Sequence, residues 1–310
     1  MSNNQTSTPI IERIKEFISQ TGKSQTEIAR AIDISPASLS QFLSETYKGD
    51  IENIAGRLEK YLNQEALKVG LPKTPTFAMT STAKEIWFAA SYAHANNDIS
   101  LIYGEAGLGK SASLKEYAKE HIGVIYIETR SCDQSTKGIC ERILKAIGKK
   151  RTGTDRVLID TIMDNLKDSG KLLIIDEAQH LSLKAIEALR ALNDEGNIGI
   201  VLSGNPTIYD RMYGRGEAHF AQLFSRIGIR REIPEHPIRE DIELIFKDAN
   251  VDDECIDRLH YYATQKGGLR YMMKIYKIAQ AMALSQNKPL SIEYLEIARG
   301  KKDGEETNAL

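Results

Sequence analysis

Gly104-Glu105-Ala106-Gly107-Leu108-Gly109-Lys110-Ser111 decides how this chain is read. It obeys the pattern G-x-x-x-x-G-K-[ST], follows the apolar stretch Ser100–Tyr103 and precedes a run of helical character. The glycines let the backbone turn tightly, so that consecutive N–H groups point into one concavity and hold phosphate oxygens. Lys110 would reach the β- and γ-phosphates of ATP, and the Ser111 hydroxyl would complete the shell of a Mg2+ ion. All eight residues are candidate ATP contacts.

A second stretch, Lys171-Leu172-Leu173-Ile174-Ile175-Asp176-Glu177, places two carboxylates after four apolar residues. Such a run fits a strand buried on both faces, and the C-terminal edge of an open α/β sheet is where ligands bind. There Asp176 would hold Mg2+ through water and Glu177 would polarise the attacking water. A solvated Asp-Glu pair ending a strand is the plainer alternative. Another strand, Ile198–Ser203, ends in Gly204-Asn205. Asn205 reads either as a side chain between Glu177 and the γ-phosphate or as an ordinary turn residue before Pro206.

Short apolar runs alternate with helical segments between residues 77 and 235: Ser100–Gly104, Val124–Glu128, Leu172–Asp176, Gly199–Ser203 and Ile227–Ile233. That alternation predicts an α/β core, a parallel sheet covered by helices. Residues 1–70 read as short amphipathic helices, with Ile10, Ile11, Ile14, Phe17 and Ile18 at helical spacing. The prolines of Leu71-Pro72-Lys73-Thr74-Pro75 break any helix and predict a linker over 71–76. Beyond Pro234 and Pro237 the pattern is helical again, over 238–249, 252–265, 269–285 and 291–299. Residues 236–300 therefore read as an all-α domain. The charged, glycine-containing end from Gly300 is expected to fray, leaving 301–310 as a flexible tail.

Composition narrows the function classes. The 310 residues carry 41 Lys+Arg against 43 Asp+Glu, a net charge of −2, which excludes a histone-like polycation but not local basic patches. With 41% apolar and 27% charged residues the chain looks like an ordinary soluble protein. No apolar run approaches the roughly 20 residues of a membrane span, and the start MSNNQTSTPI is uncharged, so neither a membrane anchor nor a signal peptide is expected. The three cysteines show no CxxC spacing, which argues against a disulfide framework or zinc site and fits a reducing cytoplasm.

Two features bear on nucleic acid. Lys149-Lys150-Arg151, after the predicted helix Lys137–Ile147, is the densest basic run; it reads as a solvated loop or as a phosphate contact. Gln25–Ala29 followed by Ile34–Phe42 resembles a helix-turn-helix. Ala29 permits close helix crossing, Ile28, Ile34, Leu39 and Phe42 supply a small core, and Ser35 and Pro36 start the second helix. Asp33 stands where that motif usually has Gly, and Asp tolerates a left-handed backbone better than most residues. Pro36–Ser44 contains no Lys or Arg, so this head should bind DNA weakly by itself, with Ser38 and Gln41 as its candidate contacts. A head that mainly contacts protein is the other reading.

The phosphate loop, Asp176-Glu177-Ala178-Gln179-His180-Leu181 and the polar tip after the next strand together resemble the AAA+ ATPases. Leu223-Phe224-Ser225-Arg226-Ile227 looks like the Ser-Arg arginine-finger motif of the clamp-loader and initiator branch, and Gly267-Gly268-Leu269-Arg270 like its Gly-x-x-Arg sensor motif. The order of head, core and helical tail, with Lys84-Glu85-Ile86-Trp87 ahead of the first strand, is similar to the MuB-like target-DNA activators of phage Mu, over about residues 10 to 299.

That resemblance implies an AAA+ core with a helix-turn-helix head and an all-α lid. It implies an ATPase, stimulated by DNA and transposase, that oligomerises with ATP as a filament or ring on double-stranded DNA with little sequence preference. Such a protein delivers target DNA to a transposase and stimulates strand transfer, and hydrolysis drives its release. Arg226 would reach the γ-phosphate of a neighbouring subunit, Arg270 that of its own, and Lys149, Lys150 and Arg151 would line the inner face of the oligomer. The setting implied is a bacterial or phage-infected cytoplasm. Two other readings share the motifs: a helicase loader or replication initiator, and a DNA-binding regulator switched by nucleotide. Glu177 and Arg226 weigh against the last, since a ligand switch needs neither.

Overall fold

The computed structural model describes residues 8–69, 75–213 and 226–304. By backbone contacts they divide into two compact units. The first contains helices α1 (Thr8–Thr21), α2 (Gln25–Ala31), α3 (Pro36–Leu43) and α4 (Ile51–Val69), together with Gln280–Lys288. Ser24 and Glu27 start α2 with a reciprocal capping box. Ser35 starts α3 by accepting the Ser38 N–H at 3.0 Å, with Pro36 at the first helical position. Asp33 sits between the two helices at φ 55°, the left-handed conformation expected of the residue in a glycine's place. Arg57 of α4 donates to the carbonyls of Ile32 (2.9 Å) and Asp33 (3.2 Å) and closes that turn. Ile28, Ala29, Leu39 and Phe42 are buried with Ile14 and Leu58, and Ile34 is partly buried against them.

The second unit is built on five parallel strands, β1 (Ile99–Tyr103), β2 (Val124–Glu128), β3 (Leu172–Asp176), β4 (Gly199–Gly204) and β5 (Ile227–Glu232), in the order β2-β3-β4-β1-β5. Alternate residues face opposite layers, as the two-residue period of a strand requires. Leu101, Leu173, Ile175, Ile200 and Leu202 pack with α7 (Thr136–Ala146), α8 (Asp155–Leu166) and α9 (Leu183–Gly196). Ile102, Leu172, Ile174 and Val201 pack with α5 (Ser81–Asn96) and α6 (Lys110–Glu120). Between helix layers the inner strands β3, β4 and β1 lie buried on both faces, which is why they read as largely apolar runs, whereas the edge strands β2 and β5 are only partly buried. Thr80, Ser135 and Ser182 cap α5, α7 and α9 through their side chains.

After β4 comes α10 (Pro206–Tyr213), and after β5 four helices: α11 (Arg239–Phe246), α12 (Asp253–Ala263), α13 (Gly268–Ser285) and α14 (Ile292–Asp303). The buried Asp241 of α11 accepts the N–H (2.7 Å) and Oγ–H (2.5 Å) of Ser81 at the start of α5, a carboxylate placed at a helix N-terminus.

Two expected boundaries move. Of the linker expected over 71–76, residues 71–74 lie outside the described residues, while Pro75 and Thr76 form part of a cleft wall in the second unit. The helical end does not fray from Gly300 as expected; α14 continues to Asp303 and stops at Gly304, φ 77°. Tyr271 explains the extension, since its hydroxyl donates to Asp303 at 2.7 Å and the Lys302 ammonium stands 4.0 Å over its ring. Residues 305–310 lie outside the described residues.

Candidate nucleotide-hydrolysis site

The phosphate loop leaves β1 and enters α6 at the C-terminal edge of the sheet. Gly107 (φ 92°) and Gly109 (φ 89°) take conformations that L side chains rarely adopt, and Gly109 is the N-cap of α6. Gly107 is also required by contact: a Cβ there would lie 2.0 Å from the Gly267 carbonyl oxygen, so loop and lid meet backbone to backbone. Lys110 is buried, 9% exposed, and donates to the carbonyls of Gly104 (2.7 Å) and Glu105 (2.8 Å). Burial pulls its pKa below the ordinary lysine value, against the raising influence of Asp176, Glu177 and Glu105. An anion entering the loop would compensate for that missing hydration.

β3 delivers the carboxylates. Asp176 is 1% exposed, and both its oxygens are engaged, Oδ2 by the Tyr126 hydroxyl at 2.6 Å and Oδ1 by the Glu177 N–H at 3.0 Å. Burial and the adjacent Asp176 push the Tyr126 phenol far above its ordinary pKa, so it stays a donor. Glu177 has left-handed backbone, φ 57° and ψ 33°, an uncommon state for a residue with a Cβ. The Thr129 hydroxyl, just beyond β2, holds that turn by donating to the carbonyls of Asp176 (3.0 Å) and Glu177 (2.7 Å). Asn205 follows β4, and its Oδ1 accepts the Thr207 N–H at 3.1 Å, capping α10.

A cleft of about 480 Å³ opens beside the phosphate loop and Glu177, and neither Asp176 nor Asn205 is among the residues lining it. Gly107, Gly109, Lys110, Ser111 and Glu177 form its polar end, Phe77, Ile245, Leu269 and Met273 supply apolar wall, and Arg270 lines it from the lid helix α13. Arg270 lies close enough to lower the pKa of Lys110 electrostatically. A site with an apolar recess, a glycine-turned loop and converging cations suits a nucleoside triphosphate. Among the described residues no three His, Cys, Asp or Glu cluster as a metal cage. One hydroxyl, one carboxylate and phosphate oxygens are instead the donor set that Mg2+ takes in nucleotide sites.

A family model described as AAA domain matches residues 94–212. Residues 94–212 are an AAA domain. The chain is 29% identical over 276 residues to "Mu-like prophage FluMu DNA transposition protein B" of Haemophilus influenzae, covering 86% of this chain and 95% of that one. It is also 29% identical over 275 residues to "ATP-dependent target DNA activator B" of Escherichia phage Mu, covering 88% of each. In fold it is similar to Cdc6p from Pyrobaculum aerophilum, with a TM-score of 0.59 at 12% identity over 78% of this chain and 72% of that one. The AAA domain marks the protein as an ATPase, and its sheet core is parallel as expected, with helical segments on either side of it in the chain.

Arg226, Lys149, Lys150 and Arg151 are not among the residues lining the cleft. Arg226, immediately before β5, is exposed, with its Nε 3.6 Å from an Asp194 carboxylate oxygen of α9. Leu223, Phe224 and Ser225 lie outside the described residues. Lys149, Lys150 and Arg151 are all exposed on the segment joining α7 to α8. In the first unit Gln41 is exposed, while the Ser38 hydroxyl lies 2.8 Å from that of Ser35. Among the described residues no helix is long and apolar enough to cross a membrane.

Tyr126, Thr129 and Gln179 are functional neighbours that the sequence did not reveal. Only Tyr126 had a legible signal, a polar group two residues before the position paired with Asp176 and so on the same face of the sheet.

Proposed function

We propose that this AAA+ ATPase acts in DNA transposition: it assembles with ATP on double-stranded DNA, presents that DNA to a transposase and stimulates strand transfer, and hydrolysis releases it. The similarity over most of both chains to relatives named as transposition protein B and target DNA activator B carries this reading. In the cleft the loop N–H groups and Lys110 bind the phosphates. Ser111 directly and Asp176 through water would hold Mg2+, which neutralises charge developing on the phosphate oxygens. Glu177 polarises the attacking water, Asn205 orients it, and Arg270 reaches the γ-phosphate from the lid. Arg226, exposed and outside its own cleft, serves the site of a neighbouring copy, so hydrolysis requires assembly into a filament or ring. The exposed Lys149, Lys150 and Arg151 hold DNA phosphates without reading sequence, and Ser38 and Gln41 of the helix-turn-helix head add weaker contacts. The setting of these reactions is the cytoplasm of a bacterium or phage-infected host.

Electron microscopy of the protein with duplex DNA tests this reading. A non-hydrolysable ATP analogue should produce filaments or rings on the DNA. With ATP, wild-type assemblies should disperse as ATP is consumed, whereas those of Glu177→Gln should persist. Assemblies indifferent to nucleotide, or Glu177→Gln assemblies dispersing at the wild-type rate, would contradict it.

A further inference from the structure

Gln179 lies in the short 3-10 turn after β3, between the tips of two strands. Its Nε2 donates to Glu177 Oε2 at 2.5 Å, and its Oε1 accepts the backbone N–H of Asn205 at 3.3 Å. These partners fix the orientation of the amide, because the carboxylate accepts only and the N–H donates only. Glutamate in that place would set two carboxylates against each other. The path is also cleared for this side chain. β4 ends in Gly204, where a Cβ would lie 2.6 Å from Gln179 Oε1, although the Gly204 backbone does not need a glycine's left-handed freedom. Glu177 is thus held twice, at its left-handed backbone by Thr129 and at one carboxylate oxygen by Gln179. Its other oxygen has no partner among the described residues, and Glu177 lines the cleft.

We propose that Gln179 is a positioning residue for hydrolysis: it fixes the Glu177 carboxylate, leaves one oxygen free to polarise water, and ties that carboxylate to the strand tip bearing Asn205. This rests on the assignment of Glu177 above. Gln179 is not among the residues lining the cleft and acts through Glu177.

The test separates kcat from binding, with fluorescence of Trp87, the one tryptophan of the chain, reporting nucleotide affinity. Trp87 stacks on Phe77 of the cleft wall and donates to the Ser113 carbonyl of α6, so it lies beside the site. Gln179→Met keeps the side chain's bulk and deletes both hydrogen bonds. It should bind ATP within about twofold of wild type and reduce kcat by roughly tenfold or more, the scale of one hydrogen bond to a charged group. Gln179→Glu should be at least as slow. Gly204→Ala should reproduce the defect by displacing Gln179, and adding it to Gln179→Ala should cost nothing further. In a Glu177→Gln background, Gln179→Met should have no additional effect, since the group it positions is gone. Wild-type kcat in Gln179→Met while Glu177→Gln is inactive would overturn the proposal and leave the Glu177 assignment standing. An equal further loss in the Glu177→Gln background, or a parallel loss of ATP affinity, would overturn it as a general structural effect. Wild-type turnover in Glu177→Gln would instead remove the assignment on which it rests.

Discussion

The nucleotide cleft and the candidate DNA contacts are built in opposite ways. In and just behind the cleft three charged groups have partners from the chain itself: Lys110 on two carbonyls, Asp176 between Tyr126 and a backbone N–H, Glu177 against Gln179. Burial makes those contacts obligatory, because a buried polar group without a partner is costly. Lys149, Lys150, Arg151 and Gln41 are exposed to solvent, and Arg226 meets only the nearby Asp194 carboxylate among the described residues. Solvated charges need no fixed geometry until a partner arrives. The cleft is therefore preorganised within one chain, while under the proposed function the exposed cations act on a second molecule.

The largest effect that would break this contrast is at Arg226. Arg226→Ala should bind ATP as wild type does, by Trp87 fluorescence, yet hydrolyse it about 10³–10⁵ more slowly under assembling conditions. Mixing it with a Lys110→Ala, Glu177→Gln partner, inactive but carrying Arg226, should recover part of that activity. No recovery in mixed oligomers would assign Arg226 to its own subunit. Next in size, Lys110→Ala should weaken ATP binding by about a hundredfold or more, since it deletes the buried cation that faces the phosphates. Binding titrations that match wild type would show that the loop holds phosphate through its N–H groups alone.

A smaller effect sharpens the boundary between the two units. Ser35→Ala removes the side-chain cap of α3 and should destabilise the first unit by about 1 kcal/mol in denaturant melts. The nucleotide response of Trp87, which lies in the second unit, should not change. A shifted ATP affinity would show that the head communicates with the cleft.

How far the sequence can be read follows the same division. Gly107, Gly109 and Lys110 are legible because a phosphate loop is a backbone geometry that few residue types permit. The strands from Leu172 and Gly199 are legible because burial on both faces demands unbroken apolar runs. Asp33 reveals itself as a left-handed turn residue by the same backbone logic. Gln179 is not legible, although it belongs to a recognisable motif, because its role depends on Glu177 and Asn205 converging from two strands, which no spacing encodes. Pro75 and Thr76 look like linker because proline marks a helix break equally well in a connector and in a cleft wall. The end of α14 is not legible at Gly300 because Tyr271, distant in sequence, holds Asp303.

The central claim is that exposed cations on the ATPase unit, multiplied by nucleotide-driven assembly, hold the DNA. It is tested most directly by measuring duplex affinity with ATP analogue at several salt concentrations. The proteins to compare are wild type, the Lys149→Ala, Lys150→Ala, Arg151→Ala triple variant and the Ser38→Ala, Gln41→Ala variant. Removing one cation from a DNA phosphate should flatten the slope of log K against log salt by about 0.9. The triple variant should therefore bind more weakly and with a shallower slope on unrelated sequences alike, while the head variant stays near wild type. A triple variant that keeps the wild-type slope, beside a head variant whose affinity collapses, would contradict the account.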